Sequence, residues 1–185
     1  NRKCHDLRHQ ITALRHMDDA EKEKSIQELE HAVMIYDSFP KSGNKELDII
    51  LAEKSLLAEK QQTRVQCIVD GSKLSFLALD DMYSLFGNAL DNAIEACSAL
   101  PDPDSRALSV RCQKRGGFVV LNFRNACLQQ HLPEDALPET TKDDPENHGF
   151  GLASIRSATE KYGGQMSLRS ENGEFVLTLL FPEKK

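Results

Sequence analysis

The sequence predicts an α+β protein in two parts, an N-terminal helical hairpin over residues 1–40 and an α/β sandwich over residues 41–185. Apolar residues recur every three or four positions in the first part, which is typical of helices. Short strand-like runs separated by glycine-containing turns dominate the second part. The 185 residues are enough for one full domain and a small helical appendage.

The first part is predicted to form two helices. Leu7, Ile11 and Leu14 lie on one helical stripe, and a polar connection near Asp18 separates them from a second stripe. That second stripe consists of Ile26, Leu29, Val33 and Tyr36. A single hairpin has too little core to fold alone, whereas two hairpins paired as a four-helix bundle bury both stripes. The sequence therefore predicts a homodimer.

The second part is predicted to begin after a hinge at residues 38–43. We expect helices over residues 46–61, 81–98 and 152–162, and strands over residues 64–69, 74–79, 107–113, 118–124, 165–169 and 174–181. Two turn signals, Gly116-Gly117 and Asn172-Gly173, join strand pairs. This mixture predicts helices layered on one face of a sheet. The polar loop at residues 126–149 has the composition of a mobile lid.

Composition argues against several classes of function. The net charge of −6 argues against non-specific nucleic-acid binding. The five cysteines are scattered and contain no CxxC pair, so we expect reduced thiols and neither a disulfide framework nor a zinc site. No apolar run approaches the roughly 20 residues that cross a bilayer. Because the sequence opens on Asn1 and not on methionine, we expect a piece of a longer protein, namely the cytoplasmic portion of one that is anchored in a membrane by an upstream region.

Two asparagines dominate the helix predicted at residues 81–98. Asn88 and Asn92 are four residues apart, so they share one helical face. Asparagine is a poor residue inside a helix, and two carboxamides aimed at one point suit Mg²⁺ and the phosphates of a nucleotide. Two satisfied asparagines on a polar face have the same spacing.

A glycine pair opens the helix predicted at residues 152–162. Gly149 and Gly151 permit close approach of the backbone to a ligand. The N–H groups at the start of the helix are then available to phosphate. An ordinary flexible loop before a helix contains the same pattern, because a lone G-x-G is a weak signal.

Together, these motifs resemble the GHKL ATP-binding fold of gyrase, MutL and histidine kinases. The run from Asn88 to Ala96 is similar to the N box of histidine kinases, and the run from His148 to Leu152 is similar to their second glycine box. The segment Tyr162-Gly163-Gly164 and the hairpin after it resemble the C-terminus of the family. Among histidine kinases, the resemblance is nearest to the Agr quorum-sensing type.

The resemblance implies an ATP site with Mg²⁺. In it, Asn92 is the Mg²⁺ ligand and Asn88 faces the phosphates. The phosphate cradle consists of Gly149, Gly151 and the N–H of Leu152. Two residues of the predicted lid are also implied to reach the nucleotide, Lys142 and His148.

One motif departs from the family. Most members carry Asp-x-Gly-x-Gly after the central strand, and its aspartate receives the adenine amino group. The matching run here, from Asn122 to Cys127, has neither the aspartate nor the glycine pair. Asn125 still has an oxygen that accepts a hydrogen bond, but without charge assistance we expect weaker recognition of the base.

The N-terminal helix carries the candidate phosphate acceptor. His5 and His9 each lie two residues from Leu7, about 200° around the helix, so they face away from the hairpin seam. His5 with Asp6 resembles the His-acid pair of histidine-kinase H boxes, which favours His5 over His9. Asp6 is placed to orient His5 or to take its proton. Gln10 follows the Asp-x-x-x-Gln pattern of a related kinase group, in which the glutamine is thought to position water for dephosphorylation; a simple surface glutamine also fits.

The resemblance implies the core of a bacterial sensor histidine kinase. It would phosphorylate its own histidine with ATP and pass the phosphate to an aspartate in the receiver domain of a response regulator. Two alternatives remain open, a GHKL serine kinase of the anti-sigma type and a pseudokinase scaffold that binds nucleotide weakly or not at all.

Overall fold

The computed structural model describes residues 41–128 and 150–183. The predicted helical hairpin, with its dimer interface, lies outside the described residues. So do residues 129–149, which form most of the predicted lid. The division into domains at residues 40 and 41 therefore stays a prediction.

The described part is an α+β fold built on one mixed sheet. Its helices are α1 (Lys45–Lys60), α2 (Leu79–Met82), α3 (Asn88–Ser98) and α4 (Phe150–Lys161). Its strands are β1 (Arg64–Ile68), β2 (Ala107–Arg115), β3 (Phe118–Ala126), β4 (Gln165–Glu171) and β5 (Glu174–Pro182). The sheet order is β1-β2-β3-β5-β4, in which β1 runs parallel to β2 and the other neighbours are antiparallel. Five of the six predicted strands are thereby confirmed.

The strand predicted at residues 74–79 is wrong. Leu74 ends a 3₁₀ turn, Gly71–Leu74, and the residues after it lead into α2, which begins at Leu79. The Asp70 carboxylate accepts a hydrogen bond from the Ser72 N–H at 3.2 Å and so caps the turn. Buried residues recur here every third position, at Gly71, Leu74 and Leu77, which is the period of a 3₁₀ turn and not that of a strand.

The helix predicted at residues 81–98 exists but is not regular. A π turn, Tyr83–Gly87, separates α2 from α3. The helix predicted at residues 46–61 is confirmed as α1, whose N-cap is Asn44. The Asn44 side chain accepts a hydrogen bond from the Leu47 N–H at 3.0 Å, and this bond fixes where the helix begins. The helix predicted at residues 152–162 is confirmed as α4.

The core lies between the sheet and the helices. Side chains alternate along β3 and β5, so that Leu121, Phe123 and Leu179 are buried against the helical layer. The Phe86 ring contacts the Phe123 ring edge-to-face, with centroids 5.3 Å apart, and ties the π turn to the central strand. On the opposite face of the sheet, Asn122 accepts a hydrogen bond from Thr178.

Both predicted hairpin turns are confirmed. Gly116 and Gly117 have φ values of 58° and 80°, and Asn172 and Gly173 have φ values of 53° and 76°. Two successive positive φ values are the signature of the type I′ turn, whose twist matches that of the flanking strands.

The C-terminal end of the predicted hinge at residues 38–43 belongs to the folded unit. The Ser42 N–H donates to the Asp48 carboxylate at 2.8 Å, and the Ser42 carbonyl accepts from the Gly71 N–H at 2.8 Å. A Cβ at Gly71 would lie 2.5 Å from the Ser42 hydroxyl oxygen, so the chain packs tightly at this point. Ser42 therefore belongs to the folded unit, and a hinge would have to lie before it.

Candidate active site

The structure brings Asn88, Asn92 and Gly151 together. A Cβ built on Gly151 would lie 3.5 Å from both terminal atoms of the Asn92 carboxamide and 3.7 Å from Asn88 Oδ1. The two asparagines do share one face of α3, and that face is turned toward the first turn of α4. The asparagine pair and the glycine motif, which are about 60 residues apart in the sequence, thus form one cluster.

The Asn88 carboxamide is held by the backbone of its own helix. Its Nδ2 donates to the Ser84 carbonyl at 2.7 Å, and its Oδ1 is the atom nearest to Gly151. Asn92 is exposed, and both ends of its carboxamide lie equally close to Gly151. The cluster therefore offers carboxamide oxygens, which are ligands that hard cations prefer.

The start of α4 supplies backbone donors. Gly151 and the half-buried Leu152 lie in its first turn. The first N–H groups of a helix have no partner inside it, and the helix dipole favours an anion there. The cluster thus combines oxygen ligands from α3 with N–H donors from α4, an arrangement that suits a cation together with a phosphate.

Asn125 lies near the other end of α3. It is buried on the helical side of β3, and its Nδ2 donates to the Ala126 carbonyl at 3.0 Å. The same carbonyl accepts from the Cys97 thiol at 3.4 Å. Because Cys97 is nine residues after Asn88, the two ends of the site are separated by about 14 Å along the helix axis. One N–H of the carboxamide is thus engaged with the main chain, and the oxygen is the acceptor that Asn125 can offer to a ligand.

Comparison with known proteins identifies the domain. The GHKL domain profile matches residues 77–182, which include Asn88, Asn92, Asn125 and Gly151. The chain belongs to the GHKL domain family. No curated protein is a significant match to the sequence.

Solved structures with a similar fold include the catalytic domain of one histidine kinase and a structure of a second histidine kinase. One nucleotide-free form of the histidine kinase ThkA catalytic domain matches with a TM-score of 0.57 and 17% identity, over 76% of this chain and 91% of that one. Another nucleotide-free form matches with a TM-score of 0.60 and 15% identity, over 77% and 95%. The histidine kinase AdeS of Acinetobacter baumannii matches with a TM-score of 0.51 and 13% identity, over 98% of each chain. These likenesses establish the fold.

Two contacts connect α1 to the elements that carry the asparagine cluster, one to α3 and one to the π turn. The sequence analysis predicted neither contact. Lys54 Nζ lies 2.6 and 2.8 Å from the carboxylate oxygens of Asp91, the residue before Asn92. The Tyr83 hydroxyl, at the start of the π turn, donates to Glu53 Oε2 at 3.1 Å. Partners that are 37 and 30 residues apart leave no local pattern in the sequence.

A second support joins α4 to the segment before α2. The Ala78 N–H donates to the Tyr162 hydroxyl at 2.9 Å, and that hydroxyl donates to the Asp81 carboxylate. Lys161 Nζ lies 2.7 Å from the same carboxylate. These partners, Lys161 first, lower the pKa of Asp81 below its usual value. The Tyr-Gly-Gly segment thus anchors the C-terminal end of α4 in the GHKL domain.

Within the described ranges, the cysteines form neither a disulfide nor a reactive-thiol site, and no cluster of side chains forms a metal site. Four cysteines there are free, and burial raises the pKa of Cys67 to about 12 and that of Cys112 to about 11. Such thiols are poor nucleophiles near neutral pH. Within residues 41–128 and 150–183, no group of three His, Cys, Asp or Glu side chains has the arrangement of a metal site. In the same ranges, no helix is long and apolar enough to span a membrane.

Several sequence candidates lie outside the described residues. They are His5, Asp6, Gln10, Lys142, His148 and Gly149. Their roles stay predictions.

Proposed function

We propose that this chain is the core of a bacterial sensor histidine kinase, which phosphorylates its own His5 with ATP and passes the phosphoryl group to an aspartate of a response regulator. The convergence of Asn88 and Asn92 on Gly151, inside a GHKL domain with the fold of histidine kinase catalytic domains, carries the proposal. Nucleotide binding is the shared chemistry of this fold.

The residues of the cluster fit Mg²⁺ and a nucleotide. Asn92 would hold the cation through its carboxamide oxygen, because Mg²⁺ takes oxygen ligands. When bound, the cation neutralises charge that develops on the transferring phosphoryl group. The N–H groups at Gly151 and Leu152 would receive phosphate oxygens, and Asn125 Oδ1 would accept from the base amino group.

Transfer to His5 would proceed mainly by positioning. An imidazole nitrogen of His5 forms a bond to the γ-phosphorus of ATP, the bond to the β–γ bridging oxygen breaks, and ADP leaves. Asp6 takes the imidazole proton. From the predicted lid, Lys142, His148 and Gly149 would add contacts to the phosphates. Gln10 would position water when the partner protein is dephosphorylated.

The homodimer in this proposal is inferred from the helical stripes of the sequence, and the response regulator from the resemblance to histidine kinases. The segment 1–40 would pair two chains into a four-helix bundle, and the bundle would present His5 to the receiver domain of the regulator. Closeness to the Agr-type kinases and anchorage through an upstream membrane sensor belong to the same proposal.

One labelling experiment tests the proposal. The purified chain is incubated with γ-labelled ATP and Mg²⁺, and the product is treated with acid and with alkali. We expect a label that is lost in acid and retained in alkali, as phosphohistidine is. A label that survives acid would instead indicate a GHKL serine kinase, and the histidine-kinase proposal would be dropped.

A pseudokinase scaffold is the second candidate function. The observation that favours it is Asn125, which stands where most of the family has aspartate and offers the base an uncharged acceptor. It predicts no label at all, together with weak nucleotide affinity or none. Calorimetry with ADP and Mg²⁺, run beside the labelling, separates a chain that binds nucleotide without transfer from one that does not bind.

A further inference from the structure

The π turn Tyr83–Gly87 ends directly before Asn88, and it changes the hydrogen bonds at this position. In a regular α-helix the Asn88 N–H donates to the carbonyl four residues earlier, which belongs to Ser84. Here the Asn88 N–H donates to the Leu85 carbonyl. The Ser84 carbonyl accepts instead from the Asn88 side chain, at 2.7 Å.

As a result, the nitrogen and the oxygen of the Asn88 carboxamide have different surroundings. One N–H of the NH₂ group donates to the Ser84 carbonyl, inside the helix. The oxygen is 3.7 Å from the Cβ position of Gly151, so it is the half that faces the cluster. A carboxamide that turned over would direct its oxygen at the Ser84 carbonyl, and two acceptors cannot form a hydrogen bond.

The π turn itself is firmly anchored. Leu85 and Phe86 are fully buried, and the Phe86 ring contacts Phe123 on β3. The Tyr83 hydroxyl is bonded to Glu53 on α1. These contacts fix the turn on both sides and with it the direction of the Ser84 carbonyl. Wide turns of this kind occur often at functional sites.

We propose that the π turn Tyr83–Gly87 is a positioning element that turns the Asn88 carboxamide oxygen toward the cluster, where it acts as a hydrogen-bond acceptor or cation ligand. The inference rests on the proposed nucleotide-binding function. Phosphate oxygens are themselves acceptors at neutral pH, so the group that the Asn88 oxygen meets is the cation, a cation-bound water or another donor, and not a bare phosphate oxygen. Donors for the phosphates then come from α4. This assignment departs from the sequence expectation that Asn88 faces the phosphates.

Nuclear magnetic resonance of the full chain, labelled with ¹⁵N and ¹³C, tests the assignment. The readouts are hydrogen exchange of the Asn88 side-chain NH₂ and its coupling to the Ser84 carbonyl carbon, without nucleotide and with ADP and Mg²⁺. We expect the coupling and slow exchange in both states, and a shift of the Asn88 carboxamide carbon when Mg²⁺ is added with ADP. Loss of the coupling on binding, with the NH₂ signal moved instead, would mean that Asn88 donates to phosphate and would overturn the inference.

Two variants, a deletion and a substitution, distinguish the effect of the wide turn from the effect of the Ser84 side chain. Deleting half-buried Ser84 removes one residue from the wide turn while keeping the buried Leu85 and Phe86. With Mg²⁺ present, we expect this variant to bind ADP about tenfold more weakly than the unmodified chain, which is the effect of losing about one hydrogen bond to a charged group. Without Mg²⁺, we expect its ADP affinity to fall by less than about twofold. Ser84→Ala keeps the carbonyl and should leave the Asn88 exchange unchanged.

The outcomes also separate this inference from the proposed function. If ADP does not bind at all, the proposed function fails, while the nucleotide-free spectrum still tests the bond between Asn88 and Ser84. If ADP binds and the Asn88 NH₂ exchanges quickly in both states, the function stands and the positioning role is wrong. If the deletion variant does not fold, the spectra of the unmodified chain decide the question alone.

Discussion

Gly151 lies against Asn92, close enough that a Cβ on the glycine would be 3.5 Å from both terminal atoms of the asparagine carboxamide. That distance is an ordinary van der Waals contact, so the space between α3 and α4 at this point accommodates one small group and little more. The glycine therefore leaves the exposed Asn92 carboxamide uncovered beside the first turn of α4, where a side chain at position 151 would lie against it.

Asn92→Ala is expected to abolish the Mg²⁺-dependent part of nucleotide binding and to leave the domain folded. Asn92 is exposed, so its loss should change the free energy of unfolding by no more than about 0.5 kcal/mol. Calorimetry with ADP, with and without Mg²⁺, measures the effect. Asn122→Ala is the matched control, because Asn122 lies on the opposite face of the sheet. An unchanged affinity in Asn92→Ala would show that the residue is only structural.

His5→Gln is expected to abolish autophosphorylation while ADP affinity stays unchanged. The proposed acceptor belongs to the predicted hairpin, which is separate in the sequence from the proposed nucleotide cluster, so removal of the imidazole should not alter binding. Labelling with γ-labelled ATP measures the first quantity and calorimetry the second. His9→Gln serves as the control and should still be labelled. A labelled His5→Gln beside an unlabelled His9→Gln would transfer the acceptor role to His9.

A chain that begins at Lys41 is expected to be a folded monomer that binds ADP. The N-cap at Asn44 and the contacts of Ser42 with Asp48 and Gly71 all lie within it, so α1 keeps its start. The full chain should be a dimer, held by residues 1–40. Light scattering at micromolar concentration measures both species. A monomeric full chain would remove the proposed four-helix bundle.

Much of the fold was predictable because its signals are local. The dipeptides Gly116-Gly117 and Asn172-Gly173 predicted both hairpin turns, because these residues tolerate a positive φ. The spacing of four residues between Asn88 and Asn92 predicted that they share one face of a helix. The strand predicted at residues 74–79 failed because an apolar run alone does not reveal the Asp70 cap that turns the chain. The π turn before Asn88 and the contact of Lys54 with Asp91 depend on tertiary packing, for which neither periodicity nor spacing provides a signal.

Gly164→Ala is expected to destabilise the domain by about 1–3 kcal/mol, because it overpacks a closed site. A Cβ there would lie 2.7 Å from the Leu180 carbonyl oxygen and 2.8 Å from carbons of Phe181 and Thr159. Urea unfolding measures the loss. Gly87→Ala is the control: its Cβ would have no neighbour closer than 3.9 Å, and its backbone is helical. That variant should be as stable as the unmodified domain or more stable; equal stability of both variants would contradict the packing argument.

The Asp81 carboxylate is expected to make stability depend on pH in the acid range. Lys161 and Tyr162 lower its pKa in the folded state, so its contribution is fully present above the unfolded value of about 3.9 and is lost as the pH falls through the lower, folded value. Asp81→Asn should therefore differ from the unmodified domain in free energy of unfolding most above pH 5, and progressively less below pH 4.

Tyr162→Phe tests the same anchor without a change of charge. It removes the hydroxyl that accepts from the Ala78 N–H and donates to Asp81, and it keeps the ring that contacts Phe76. We expect a loss of about 0.5–1.5 kcal/mol per hydrogen bond in urea unfolding. The pH dependence should persist in reduced form, because Lys161 still contacts Asp81. If the difference between Asp81→Asn and the unmodified domain stays constant from pH 2.5 to pH 6, Asp81 does not titrate as argued and the anchor rests on the tyrosine alone.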